Sequence, residues 1–279
     1  MQPDALDILD FDGTFSDIEK EVPRFGRMFF EQVRQRIGAS ENDMDKLIRS
    51  QLRIIQAHPQ KYGWINNGHI VAGALVDPYI EMRVVADLIF QITGAIPDAQ
   101  ARDEEFELYF KLKFRSVWTV FKSDTEATLQ TLEQKNPGRN YFVSNSGTAV
   151  IQRKLRAFKG MDGLIDRIHG GARKYFVDDD YNTIPETMTI DGLSRPVYLR
   201  RRYYHEVIED LLHQHGLQWR DVLVVGDIAE MDLFMPWSAG ATVALMDHPR
   251  VPEYERQFFL SHPRAYLLAS PSEIVSLLP

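Results

Sequence analysis

The segment Asp10-Phe11-Asp12-Gly13-Thr14 places two carboxylates two residues apart at the end of an apolar run. On a strand, positions i and i+2 face the same way, so both can reach one site. Like charges that close are costly unless a cation or a shared proton relieves them. A second apolar run, Tyr141-Phe142-Val143, leads into Ser144-Asn145-Ser146-Gly147. A hydroxyl there, beside the first N–H groups of a helix opening at Thr148, can hold a phosphate. Read singly, Ser146 or Thr148 is equally an ordinary helix cap. A third run, Val222–Val225, ends in Gly226-Asp227-Ile228-Ala229-Glu230-Met231-Asp232. Two carboxylates five apart suit a hard cation that wants oxygen ligands, although one capping and one surface aspartate look the same. Between them, Arg195-Pro196-Val197-Tyr198-Leu199-Arg200-Arg201-Arg202 enters a helix whose first arginine can clamp a phosphate bidentately. Three consecutive arginines point in different directions, so most must be solvated or paired elsewhere. Each signal alone is ordinary. In order along one chain, they supply a nucleophile, an anion holder and metal ligands, the parts that phosphoryl transfer requires.

Elements that put such groups together are legible in the pattern. Ala5–Leu9, Tyr141–Val143, Val222–Val225, Thr242–Met246 and Ala265–Leu268 read as short buried strands. Helical periods follow several of them, at Thr148–Phe158, Tyr203–His215 and Pro271–Leu278. This alternation predicts an α/β fold with a parallel sheet, whose ligands sit beyond the carboxyl ends of its strands. Residues from about 17 to 121 read differently, as helix after helix without a convincing strand. Ser40 and Asp43 form a capping-box pattern opening Glu41–Ala57. Asp77-Pro78 and Gly94 bracket another helix. Phe106, Phe110, Phe114, Trp118 and Phe121 share one stripe, read as core packing in preference to a pocket lining. The α/β pattern resumes at Ser123-Asp124, which can cap Thr125–Lys135.

Composition bounds the partners. A net charge of −8 disfavours nucleic acid and anionic membrane surfaces. The absence of cysteine removes disulfides, thiolate metal sites and a thiol nucleophile. Met1-Gln2-Pro3-Asp4 lacks the start of a signal peptide, and no apolar stretch approaches a membrane span, so a cytoplasmic protein is expected.

With these motifs the chain resembles the haloacid dehalogenase superfamily, over the whole α/β part. Its four motifs match Asp10-Phe11-Asp12-Gly13-Thr14, Ser144, a basic residue, and Gly226-Asp227 with Asp232. The resemblance implies a Rossmann-like parallel sheet core from residues 1–16 and 123–279, with an α-helical cap domain inserted at 17–122. It implies Asp10 as nucleophile and Asp12 as general acid/base. It further implies Mg²⁺ held by Asp10, the backbone carbonyl of Asp12, and Asp227, with Asp232 in support. Ser144, Asn145 and one arginine would hold the phosphoryl oxygens. Counting back from Gly216-Leu217 makes that arginine Arg202, with Arg201 and Arg195 as alternatives. The connection from Tyr175 to Leu193 is longer than usual, and its Asp178-Asp179-Asp180 reads as a solvated loop rather than a metal site. His213 and His215 read as surface residues. A carboxylate at Asp12 resembles the phosphatase and phosphomutase branches, because the dehalogenases lack it. The implied activity is Mg²⁺-dependent hydrolysis of a small phosphorylated metabolite. The alternatives are a phosphomutase or phosphotransferase, or a non-catalytic phosphoryl-binding regulatory protein.

Overall fold

The computed structural model describes residues 5–116 and 119–278, with side chains 112–116 excepted. Trp118, the Phe114 side chain and the N-terminal Met1–Asp4 therefore lie outside the described residues. Along the chain run β1 (Leu6–Leu9), α1 (Ile18–Ile37), α2 (Glu41–Ala57), β2 (Gly63–Asn66), β3 (His69–Gly73), α3 (Pro78–Thr93), α4 (Ala99–Ser116) and α5 (Thr125–Lys135). Then come β4 (Asn140–Ser144), α6 (Thr148–Leu155), α7 (Asp162–Ile165), β5 (Ile168–Gly170), β6 (Thr187–Met188), β7 (Val197–Tyr198) and α8 (Arg202–His215). Then follow β8 (Val222–Gly226), α9 (Ala229–Asp232), α10 (Phe234–Ala239), β9 (Thr242–Met246), α11 (Glu253–Ser261) and β10 (Ala265–Leu268), and the expected final helix is a 3₁₀ helix, Pro271–Leu277.

Contacts divide the chain into two compact units. One comprises the described parts of Met1–Asp17, Ile65–Val71 and Phe121–Pro279, the other Ile18–Trp64 and Ala72–Val120. In the first, a six-stranded sheet has the order β10-β9-β8-β1-β4-β5, and every neighbouring pair is parallel. Register sets Leu9 against Val225 on one side and Phe142 on the other. Alternation along each strand splits the core into two layers. Leu6, Ile8, Val222, Val224, Val243 and Leu245 pack with Tyr204, Ile208 and Phe258. Leu9, Phe142, Val225, Ala244 and Met246 pack with Leu129, Ile151 and Ile274 on the opposite face. The sheet is thus covered on both sides, which is why its strands read as nearly continuous apolar runs.

The helical unit keeps its sequence signals. Ser40 Oγ accepts from the Asp43 amide at 3.2 Å, and Asp77 Oδ1 accepts from Tyr79 and Ile80 at 2.7 and 2.9 Å. Gly94 ends α3 in the left-handed region. The aromatic stripe is divided between the units. Phe106 stacks on Phe29 and Phe90, and Phe110 lies against Phe25 and Phe29, whereas Phe121 packs on Phe158 at 4.4 Å in the α/β unit. Two expectations need correction. Residues 17–121 are not purely helical, because β2 and β3 form a hairpin turning at Asn67-Gly68. Asp124 starts α5 without a side-chain cap, its Oδ2 accepting instead from the Ser272 amide at 2.8 Å. Among the described residues no helix is long and apolar enough to cross a membrane.

Candidate active site

Because the strands are parallel, their carboxyl ends form one edge, and four of them deliver polar residues there. β1 delivers Asp10, β4 delivers Ser144, β8 delivers Asp227, and the turn after β5 delivers Lys174. The Asp10 amide extends the ladder by donating to Val225 O at 2.8 Å. Its carboxylate is therefore held where β1 stops.

Asp10, Asp227 and Asp232 are all buried, and one oxygen of each lies within 4.8 Å of the others. The Lys174 ammonium, itself buried, donates to Asp10 Oδ1 at 2.7 Å and to Asp232 Oδ1 at 2.8 Å. Burial pushes the Asp10 carboxyl up to about 7; Lys174 opposes this, and Asp232 adds to it. Burial pulls Lys174 down, but the adjacent Asp10 and Asp232 outweigh it, and the amine stays charged. Lys174 lies against two carboxylates, and Lys122 stands near Asp227, so buried acids and amines are gathered at one point. Three hard oxygen donors in that setting fit a hard divalent cation. Asp232 is held in place by the Ile228 amide, which donates to its Oδ2 at 3.0 Å. Asp227 sits so close to Gly13 that a Cβ there would lie 1.8 Å from Asp227 Oδ2; Gly13 also has φ +79°. The glycine of the first motif is thus the space in which the third carboxylate fits.

Asp12 is held by two donors from the next element. Ser146 Oγ donates to Oδ2, and Lys154 Nζ, from α6, donates to Oδ1 at 2.8 Å. Each carboxylate oxygen thus accepts from a side chain. Ser144 is buried, and its Oγ accepts from the Ser146 amide at 3.3 Å. Asn145 Oδ1 accepts from the Lys174 amide at 2.7 Å, so it orders the turn that carries the lysine. That turn approaches closely: a Cβ on Gly170 would stand 2.0 Å from the Thr148 amide nitrogen.

The structure brings together Asp10, Asp12, Ser144, Asn145, Asp227 and Asp232 of the sequence expectation. The arginines are a correction. Arg202 points away, half exposed, and pairs with Glu206 at 2.8 Å and Asp178 at 3.5 Å. Arg195 makes a bidentate pair with the buried Glu230, both contacts at 2.7 Å. Arg201 is fully buried but donates to backbone carbonyls. The cation at Asp10 is Lys174, and sequence reasoning missed it, as it missed Lys154. Lys174 follows β5, a three-residue edge strand with one strongly apolar residue, and only the pair Gly170-Gly171 advertised a tight turn there. The acidic triplet is not simply solvated: Asp179 binds His69 Nε2 at 2.9 Å and Asn67 Nδ2 at 3.1 Å. His215 Nε2 meets the Tyr141 hydroxyl at 2.8 Å.

No family model matches the chain, and no curated relative matches it. Its likeness to solved structures is clear. A predicted phosphoglycolate phosphatase from Haemophilus somnus is 18% identical, with 100% of both chains covered and a TM-score of 0.54. A candidate β-phosphoglucomutase from Thermotoga maritima is 14% identical, covering 98% of this chain and 97% of its own, with a TM-score of 0.51. The YfnB protein of Bacillus subtilis, solved bound to magnesium, is 13% identical, with 98% of each chain covered and a TM-score of 0.50. The fold is that of the haloacid dehalogenase-like hydrolases.

Proposed function

We propose that the chain is a Mg²⁺-dependent phosphohydrolase of the haloacid dehalogenase superfamily, acting on a small phosphorylated molecule through a phosphoaspartyl intermediate. The observation that carries this reading is the buried cluster of Asp10, Asp227 and Asp232 with Lys174 between two of them. The fold, shared with proteins described as phosphatases and phosphomutases, supports it.

Asp10 is the nucleophile. One of its oxygens attacks phosphorus, and the bond to the leaving oxygen breaks as the new P–O bond forms. Asp12 gives its proton to that leaving oxygen, then takes one from the water that hydrolyses the aspartyl phosphate and regenerates Asp10. The donors on Asp12, Ser146 and Lys154, suit its second task, as a base. To act first as an acid, Asp12 must release one of those contacts when it takes up the proton. Lys174 and the Ser144 hydroxyl are the groups for the phosphoryl oxygens, whose charge spreads in the transition state. Asp10, Asp227, Asp232 and the backbone carbonyl of Asp12 would hold the Mg²⁺. When bound, it supplies positive charge for the phosphoryl oxygens.

The test is phosphate release from a panel of phosphorylated metabolites, with Mg²⁺ or with EDTA, for wild type and Asp10→Asn. Metal-dependent release that the variant loses supports the reading, and the ranking of the panel names the substrate class. Release that survives Asp10→Asn overturns the nucleophile. No release from any compound moves the reading to phosphotransfer between two organic hydroxyls or to phosphoryl binding.

A further inference from the structure

Lys174 is fixed at more points than its ammonium. Its amide donates to Asn145 Oδ1 at 2.7 Å, and its carbonyl accepts from Arg201 Nη1. The preceding residue, Arg173, has φ +48°, a left-handed conformation that is strained for a residue with a Cβ. Strain of that kind persists only where the surroundings over-determine the backbone. Three residues after Lys174, the Val177 amide donates to Asn66 Oδ1 at 3.2 Å. The segment from 173 to 177 is thus a strained turn clamped on both sides.

Arg201 is an unusual clamp. Its guanidinium is fully buried, yet it donates to two backbone carbonyls: Lys174 O, and Val71 O at 2.8 Å. Its Nε finds no partner. Burial pushes its pKa down to about 10, so the environment penalises the charge it carries. A buried cation held this way is expensive, and an apolar side chain would cost less. The planar fork does one thing that an apolar side chain cannot: it ties two backbone segments together. Val71 lies on β3, in the hairpin tip Ile65–Val71 that belongs with the α/β unit although it arises within the insert. The same tip grips the loop after Lys174 elsewhere. Asn67 and His69 hold Asp179, and the His69 ring lies 4.0 Å from that of Tyr198.

We infer that Arg201 and the hairpin tip are positioning residues, which hold the strained turn so that the Lys174 ammonium stands between Asp10 and Asp232. This rests on the reading of Lys174 as a phosphoryl-binding cation only for its kinetic consequence. The placement of the turn is a property of the free protein.

The experiment therefore has two arms, run on the full chain with Arg201→Lys, Arg201→Met and the surface variant Asn66→Ala/His69→Ala. The first arm is hydrogen exchange across residues 172–178 without substrate or metal. The second is kcat and KM for p-nitrophenyl phosphate with Mg²⁺. Faster exchange confined to 172–178, with β4 and β8 unchanged, is expected in all three variants, largest for Arg201→Met. Misplacing the ammonium by about 1 Å should lower kcat about 10- to 100-fold in Arg201→Met while KM moves less. Arg201→Lys should recover part of that loss, and the hairpin variant should lose about 3- to 10-fold. Should Arg201→Met fail to fold, the hairpin variant decides, since its substitutions lie on the tip and not in the core. Unchanged exchange at 172–178 in the hairpin variant and Arg201→Lys overturns the inference, whatever the kinetics. So does a loss of kcat that merely tracks melting temperature. If no variant, wild type included, releases phosphate while exchange rises as expected, the positioning stands and the phosphohydrolase reading falls.

Discussion

β1 carries an aspartate at each end, and the two have nearly the same electrostatic problem. Asp7 and Asp10 are both buried, and burial pushes both carboxyls up to about 7. Their neighbours differ. Asp7 Oδ2 accepts from Asn136 Nδ2 at 2.8 Å, while its Oδ1 has no partner and nearby Glu133 raises it further. Asp10 has Lys174 against it and two more carboxylates within reach. One end is a buried acid lodged among amides, the other a buried acid among charges. A raised pKa is therefore a poor guide to function by itself. The informative property is what the group would bind once ionised.

Substitution should separate the ends completely. Asp10→Asn is expected to cut phosphate release at least about 10³-fold with the fold intact, because an amide cannot form the aspartyl phosphate. Lys174→Met should cost about 10²- to 10³-fold in kcat through lost charge stabilisation of the phosphoryl group. It should also lower stability, since Asp10 and Asp232 then face each other without a cation. Thermal melting beside steady-state kinetics reads both effects. Gly13→Ala forces a methyl group onto Asp227 and should weaken Mg²⁺ binding at least about tenfold by calorimetry.

Asp7→Asn should do the opposite of Asp10→Asn, leaving turnover unchanged and raising stability. The Asp7 carboxyl ionises at 3.8 in the unfolded chain and at about 7 in the folded one. Its contribution is most favourable below pH 4 and is lost as pH rises through 7, because the folded state must then ionise a buried acid. At pH 8 the amide should therefore gain roughly 2–4 kcal/mol over the wild type, with little gain at pH 4. Melting curves across that range check the slope, and a flat difference would mean that Asp7 is solvated in solution.

How far the sequence disclosed all this depended on how each group is carried. The strands that bear Asp10, Ser144 and Asp227 lie inside the sheet, covered on both faces, so burial wrote itself into apolar runs. Thr242–Met246 and Ala265–Leu268 have the predicted bounds, as do α2 and α5. Lys174 was hidden because β5 is an edge strand of three residues, and an arginine run nearby offered a louder signal. The run Arg200-Arg201-Arg202 is dispersed because only Arg202 is in α8: Arg201, just before it, goes inward to carbonyls, and Arg202 goes outward to Glu206. The hairpin was missed although Asn67-Gly68 is a strong two-residue turn signal, because its flanking strands are only four and five residues long. A lysine positioned by tertiary contacts, not by its own element, leaves no period to detect.

The central position of β1 bears on how the molecule forms. Leu6 pairs with Val222, and Asp7 with Asn140, so β1 waits for partners encoded more than a hundred residues later. Sheets closed by such distant pairings fold slowly, since the entropy of a long loop must be lost before the ladder rewards it. Leu6, Ile8 and Leu9 stay unpaired until β4 is made and keep one open edge until β8 follows. An apolar strand awaiting its partners is the kind of surface on which aggregation starts.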